Sequence, residues 1–310
     1  QRSAPHDKNR KGNDTQTISV SFPQGYWLFD LNYYKGTTVQ TINASTVPFY
    51  SKQKIDTASI KASRVLFRDQ TNKIQAYLQL QRSDRDSYID ETLVQVASRR
   101  LASAELGMDF THYFPNATLT MTPSLAHGLR WLGALSDAGD IASDQPHANY
   151  TLFKLFGLYN RRIKPTPKRT FYYQLTVNGQ FSPVALYGED QFILGGHYSV
   201  RGFKQNVLSA DSGWSARNDV IVPIGRWTQS WHKRAWLTPL QVRLFADYGR
   251  VYAASGGYRG SLGGWGVGLD WHYRWFSLAY THARAFHGAD QFVSEEKPID
   301  YVDFTAQMTF

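Results

Sequence analysis

Phe171-Tyr172-Tyr173-Gln174-Leu175-Thr176-Val177-Asn178-Gly179-Gln180-Phe181-Ser182 alternates along its length. Phe171, Tyr173, Leu175, Val177 and Phe181 fall on one face, and Tyr172, Gln174, Thr176, Asn178, Gln180 and Ser182 on the other. A strand points successive side chains to opposite faces, so the stretch predicts a strand with one apolar and one polar side. The polar side holds amides and hydroxyls without a charge, and the apolar side is rich in aromatic rings. A soluble sandwich would put charge on its outer face. Apolar aromatics on one side and neutral polar groups on the other suit a wall between lipid and a hydrated lumen.

The pattern recurs on both sides of this stretch. Trp27, Phe29, Leu31 and Tyr33 oppose Leu28, Asp30 and Asn32, and Ile74, Ala76, Leu78 and Leu80 oppose Gln75, Tyr77 and Gln79. Downstream, Trp265, Val267, Leu269, Trp271 and Tyr273 oppose Gly266, Gly268, Asp270 and His272. At the C-terminus Val302, Phe304, Ala306, Met308 and Phe310 oppose Asp303, Thr305, Gln307 and Thr309. About thirteen strands are expected, each near the ~9–11 residues that a tilted transmembrane strand needs. They fall at 15–22, 26–36, 58–67, 73–82, 101–113, 118–130, 150–161, 171–182, 213–223, 240–250, 264–273, 275–284 and 300–310; the segment 150–161 alternates poorly. Short turns at Pro23-Gln24-Gly25, 69–72, Phe114-Pro115-Asn116 and Tyr273-Arg274 alternate with long connections at 37–57, 83–99, 131–149, 183–212, 251–263 and 285–299. Short turns on one side and long loops on the other are the pattern of outer-membrane barrels. The connection 224–239 is long where a short turn is expected, and Trp227, Trp231 and Trp236 are read as its interfacial anchors.

Composition agrees. The chain of 310 residues is 42% hydrophobic and 15% aromatic, enough for a large apolar surface. No run of about 18 apolar residues suggests a membrane-spanning helix. Cysteine is absent, so disulfides and thiolate metal sites are excluded. The residues 1–14 are polar and charged, unlike a signal peptide. The expected fold is all-β: a transmembrane antiparallel β-barrel. By strand direction the first and last segments would both run towards the short-turn side, and bacterial single-chain barrels usually have even strand numbers. Residues 1–310 are therefore read as the C-terminal part of a larger barrel, with at least one further strand expected before Gln1.

A family resemblance enters in the long loop at 183–212, which contains Gly195-Gly196-His197-Tyr198-Ser199-Val200-Arg201-Gly202-Phe203. Val200-Arg201-Gly202-Phe203 resembles the hallmark loop of the polypeptide-transporting outer-membrane barrels. Gly213, Arg217 and Asp219 match the strand that follows that loop in the family, with Asp219 where Glu is often found. Phe245, Asp247 and Gly249 reproduce the family's F-x-D-x-G strand. Phe310 is similar to the terminal aromatic that the barrel-assembly machinery recognises. The glycine pair ahead of the loop motif most resembles the two-partner secretion transporters. The resemblance implies a bacterial outer-membrane location and a sixteen-strand barrel, of which about thirteen strands are present. It also implies a plug helix and two periplasmic polypeptide-binding domains ahead of this chain. The implied partner is a large secreted exoprotein: an adhesin, a haemolysin or a contact-dependent-inhibition toxin. In such barrels the loop folds inward and its arginine meets the aspartate of the F-x-D-x-G strand. By alternation Arg243, Phe245 and Asp247 face the lumen, and Val242, Leu244 and Ala246 face lipid. A guanidinium inside a barrel needs a carboxylate, which accepts its planar fork bidentately. The alternatives are an assembly factor of the same superfamily and a passive porin.

Other chemistry has little support. The nine histidines show no HExxH or close pairing, so no metal and no cofactor is expected. His282 lacks a nucleophile context, and no enzymatic activity is expected. Asp84, Asp86 and Asp90 are read as one solvated loop without the pattern of a calcium site. Gly263-Gly264 and Gly266 are read as thinning the wall where a loop or plug packs closely. The net charge of +9 comes from clusters such as Arg161, Arg162, Lys164, Lys168 and Arg169 around a short turn. Such residues suit a barrel rim, where they meet membrane lipid and lipopolysaccharide headgroups, and no nucleic-acid partner is expected.

Overall fold

Strands of this kind cannot lie alone in lipid, because every backbone N–H and C=O there needs a partner within the protein. The computed structural model, which describes residues 12–43, 48–166, 169–203, 206–224, 239–292 and 297–306, meets that demand with one large antiparallel sheet. Its long strands are β1 (Gly12–Gln24), β2 (Trp27–Asn43), β3 (Pro48–Arg68), β4 (Asn72–Ile89), β6 (Arg99–Phe114), β7 (Ala117–Leu129), β8 (Thr151–Thr166), β9 (Arg169–Phe181), β12 (Ser212–Val222), β13 (Gln241–Tyr252), β14 (Arg259–Tyr273), β15 (Phe276–His287) and β16 (Ile299–Ala306). A two-residue β5 (Thr92–Leu93) pairs with β4, and β10 (Phe192–Leu194) pairs with β11 (Leu208–Ala210) apart from the main sheet. The long strands pair in chain order from β1 to β16. All thirteen expected strands form, including β8 where alternation is weak.

Side-chain direction follows the alternation. Leu31 sits opposite Val20 and Ile60, Ile60 opposite Leu80, and all four are exposed on the outer face. Three register shifts interrupt it among the described residues: Leu66 is the extra residue between Val65 and Phe67, Phe286 is extra opposite Gly263 and Gly264, and the β8–β9 pairing shifts between Ile163 and Thr166. Aromatic pairs mark both ends of the outer face. Trp27–Phe29, Trp271–Tyr273 and Phe276–Phe304 stack near the short turns, and Trp214–Tyr248 and Phe153–Phe181 lie near the long connections. Rings at these heights match the two interfacial girdles of a membrane barrel.

The expected loops shrink on one side. Most of 37–57 is strand, since β2 continues to Asn43 and β3 begins at Pro48. Asp84 and Asp86 lie on β4, which runs to Ile89, so they do not form a loop; Asp90 is in the turn and accepts the Tyr50 amide. Beyond the bilayer both faces of a strand meet water, so hydrophobic alternation stops before hydrogen bonding does. The tryptophans at 227, 231 and 236 and Phe310 lie outside the described residues.

Candidate functional site: a loop anchored inside the barrel

The connection between β9 and β12 folds into the lumen. Its short hairpin β10–β11 carries Leu194 and Leu208, which pack with Val200, Phe203, Val251 and Leu262 in a buried apolar cluster. Burial of these side chains fixes the loop against the inner faces of β13 and β14. The strand glycines make that approach possible. A Cβ at Gly213 would meet Phe192 at 2.6 Å, and one at Gly249 would overlap Leu194. Gly264 sits against the Arg201 carbonyl, where a side chain would collide. Gly202 has φ +105°, and its missing Cβ leaves room for the β15 backbone at Arg284 and Ala285. The wall is thus thinned for a loop at Gly264, as its glycines suggested.

Arg201 stands at the end of this approach, fully buried. Its Nε and Nη2 donate to the two Asp247 carboxylate oxygens, each at 2.7 Å, and its backbone N–H donates to Asp247 Oδ2 at 3.0 Å. Nη1 donates to Asp219 Oδ1 at 2.7 Å. The guanidinium carbon lies 3.7 Å from the centroid of the Phe245 ring. One planar cation therefore joins two carboxylates on adjacent strands and lies over an aromatic face. Asp219 and Phe245, picked out by their positions along the sequence, come together here with Asp247. Arg217 is different. It faces the lumen beside Asp247 in register but makes no ion pair among the described residues. Arg243 bonds Asp270 at 3.1 Å and Thr281 at 3.1 Å, tying β13 to β14 and β15, and lies 4.0 Å from Asp219.

Sequence reasoning missed the other attachments of the loop. Glu189 reaches across the lumen to Arg85 on β4 at 3.5 Å and Arg99 on β6 at 3.6 Å. Arg99 also lies over the Tyr187 ring at 4.4 Å. Asp211 closes the base of the loop by accepting the amides of Leu186 and Ala254 at 2.8 and 2.9 Å. Leu186 packs with Ala126, Tyr150 and Leu152 on the β7–β8 wall. His197 touches Tyr301 on β16 at 4.8 Å and lies 4.0 Å from Asp303. Burial lowers the His197 pKa, against an opposing pull from Asp303. The wall facing the loop is more charged than its amides and hydroxyls suggested: Lys154 pairs with Glu105 at 2.9 Å, and Glu105 accepts the Tyr77 hydroxyl at 2.8 Å. No metal-binding cluster occurs among the described residues.

A sheet with a lipid-facing exterior, a polar interior and a long loop ion-paired to its inner wall defines a transmembrane β-barrel of the bacterial outer membrane. The chain belongs to the haemolysin secretion/activation protein family ShlB/FhaC/HecB, which matches residues 1–271. It is 30% identical over 284 residues to the outer membrane transporter CdiB of Dickeya dadantii, covering 86% of this chain and 47% of that protein. It is 26% identical over 272 residues to the hemolysin transporter protein HpmB of Proteus mirabilis, covering 86% and 46% respectively. The solved structure of CdiB from Escherichia coli superposes with a TM-score of 0.83 at 26% identity, covering 95% of this chain and 53% of that one. The chain thus spans about half the length of the relatives it matches.

Proposed function

We propose that this barrel belongs to a two-partner secretion transporter that passes a large, extended exoprotein through its lumen to the cell surface. The observation carrying this reading is the fully buried Arg201, held by Asp247 and Asp219 at the tip of an inward loop. A porin has no need of a loop fixed this deeply to two carboxylates. The loop occupies the lumen beside β12–β15, so it stands where a moving polypeptide must pass. The lumen offers Gln, Asn, Ser, Thr and Tyr groups that can exchange hydrogen bonds with an extended chain and its water. Val200, Arg201, Gly202 and Phe203 form the gating element, and Phe245, Asp247 and Gly249, with Gly213 and Asp219, form its seat. The reading assigns no catalytic step, metal or cofactor to the chain. It gives the intact barrel sixteen strands, with a plug helix and two periplasmic polypeptide-binding domains ahead of it, as the family resemblance implies. Phe310 serves as the signal for the assembly machinery.

The test is paired proteomics of the culture supernatant and the outer membrane in a deletion strain. Loss of one or two large supernatant proteins, with the membrane unchanged, is expected. Broad loss of barrels from the membrane would instead make this an assembly factor, and no change in either fraction would restore the porin.

A further inference from the structure

On the outer face of β13, the residues alternate Val242, Leu244, Ala246, Tyr248, Arg250 and Tyr252 towards the long-connection side. Arg250 is exposed and stands opposite Trp214 of β12 and Ser261 of β14. Arg259 begins β14, is exposed, and stands opposite Tyr252. The two arginines are diagonal neighbours on one face. With Trp214, Tyr252, Ala253 and Gly256 they line an open cavity of about 310 Å³. Neither guanidinium has an ion pair or hydrogen bond among the described residues. On the same outer face Arg82, by contrast, is held by Asp84 at 2.9 Å. Two adjacent cations without a carboxylate repel each other, and an external anion relieves that repulsion.

Height and surroundings define the anion. A tilted strand rises about 2.5 Å per residue along the barrel axis, so Arg259 lies roughly 35 Å from Tyr273 at the inner girdle, past an apolar band of about 25 Å. Trp214, opposite Arg250, and Tyr248, two residues nearer the membrane on β13, form the outer girdle here, with ring centroids 5.9 Å apart. Beneath them Val220, Leu244, Trp265 and Val267 present an exposed apolar surface. The matching ligand has a phosphate at the top, a ring that lies on Trp214, and acyl chains that descend along the sheet. We propose that Arg250 and Arg259 bind a phosphate of the outer-leaflet glycolipid, the lipid A part of lipopolysaccharide. The arginine fork receives phosphate oxygens bidentately, and the girdle below receives the sugar and chains. The site lies on the outer surface of β12–β14, whose inner surface carries Asp219, Asp247 and Gly264. The inference rests on the barrel's orientation and not on the transport role.

The experiment is native mass spectrometry of the full-length protein in detergent, titrated with bisphosphorylated lipid A, dephosphorylated lipid A and phosphatidylglycerol. Bisphosphorylated lipid A adducts are expected to persist at low excess. Occupancy should fall about tenfold in Arg250→Gln/Arg259→Gln, since both charged contacts are lost, and should stay unchanged in Arg82→Gln. Both arginines are exposed, so heat-modifiable gel mobility should confirm a folded barrel in each variant. Equal lipid A occupancy in the double variant would overturn the site. Equal binding of the dephosphorylated form would overturn the phosphate contact, and equal binding of phosphatidylglycerol would overturn the glycolipid assignment.

Discussion

Asp247 accepts three hydrogen bonds from Arg201: two from the guanidinium and one from the backbone amide of the same residue. The carboxylate therefore reads the position of the loop backbone as well as its side chain. A lysine could supply charge at this point but not the two parallel donors.

Arg201→Ala should free the loop. It leaves Asp247 buried without its bidentate partner and Asp219 with only Arg243 at 4.0 Å, and removing one partner of a buried pair costs about 3–5 kcal/mol. The apolar outer face is untouched, so the variant should insert normally and keep its heat-modifiable mobility. Secretion of the co-expressed partner should fall sharply, with Arg201→Lys between the two. Normal secretion by the alanine variant would remove the gating role of the loop.

A valine at position 264 should act at the same place from the other side. Its Cβ would run into the Arg201 carbonyl, and neither backbone can yield far. Overpacking of this kind costs about 1–3 kcal/mol. Gly264→Val should lower the temperature of barrel unfolding in detergent and reduce secretion. Gly188→Val, where no atom lies within 4 Å of the added Cβ, is the control and should do neither.

The attachment of Glu189 is looser than that of Arg201. Its contacts to Arg85 and Arg99 are 3.5 and 3.6 Å long and partly solvated, against 2.7 Å for the buried fork. Glu189→Gln should therefore raise single-channel conductance in planar bilayers while secretion falls much less than in Arg201→Ala. High salt should reproduce part of the change in the wild type, because screening reaches these longer, partly buried contacts before the fully buried fork of Arg201.

His197 gives the loop a pH dependence. Burial lowers its folded pKa below the usual ~6.5, and Asp303 opposes that effect while Arg217, Arg201 and Arg243 reinforce it. The folded state thus binds fewer protons than the released loop. Docking is strongest above the unfolded value and weakens as pH falls through it towards the lower folded value. The chain has no cysteine, so spin labels at Tyr198→Cys and Val96→Cys, both highly exposed, report only the engineered pair. Their distance distribution should broaden between pH 7.5 and pH 5, and His197→Gln should abolish the broadening. An unchanged distribution across that range would remove His197 from the docking contact.

The strands were legible because their signal is local. Period-two alternation in Phe171–Ser182 or Trp265–Tyr273 needs only neighbouring residues and a solvent difference across the wall. The signal failed at Lys52, Gln53 and Lys54 of β3, where the strand leaves the bilayer and water lies on both sides. It failed again at Asp84 and Asp86, which were read as loop for the same reason.

Sequence by itself therefore determined the sheet, the direction of each side chain and the side on which the loops lie. Resemblance paired Arg201 with Asp247, 46 residues away. Only the tertiary structure supplied Asp219 as a second carboxylate, the contacts of Glu189 with β4 and β6, and the reason for glycine at 213 and 249. Those contacts join residues on different strands through the curvature of a wall and the path of one loop. Their distances depend on how the sheet bends round the lumen, which no local period along the chain encodes.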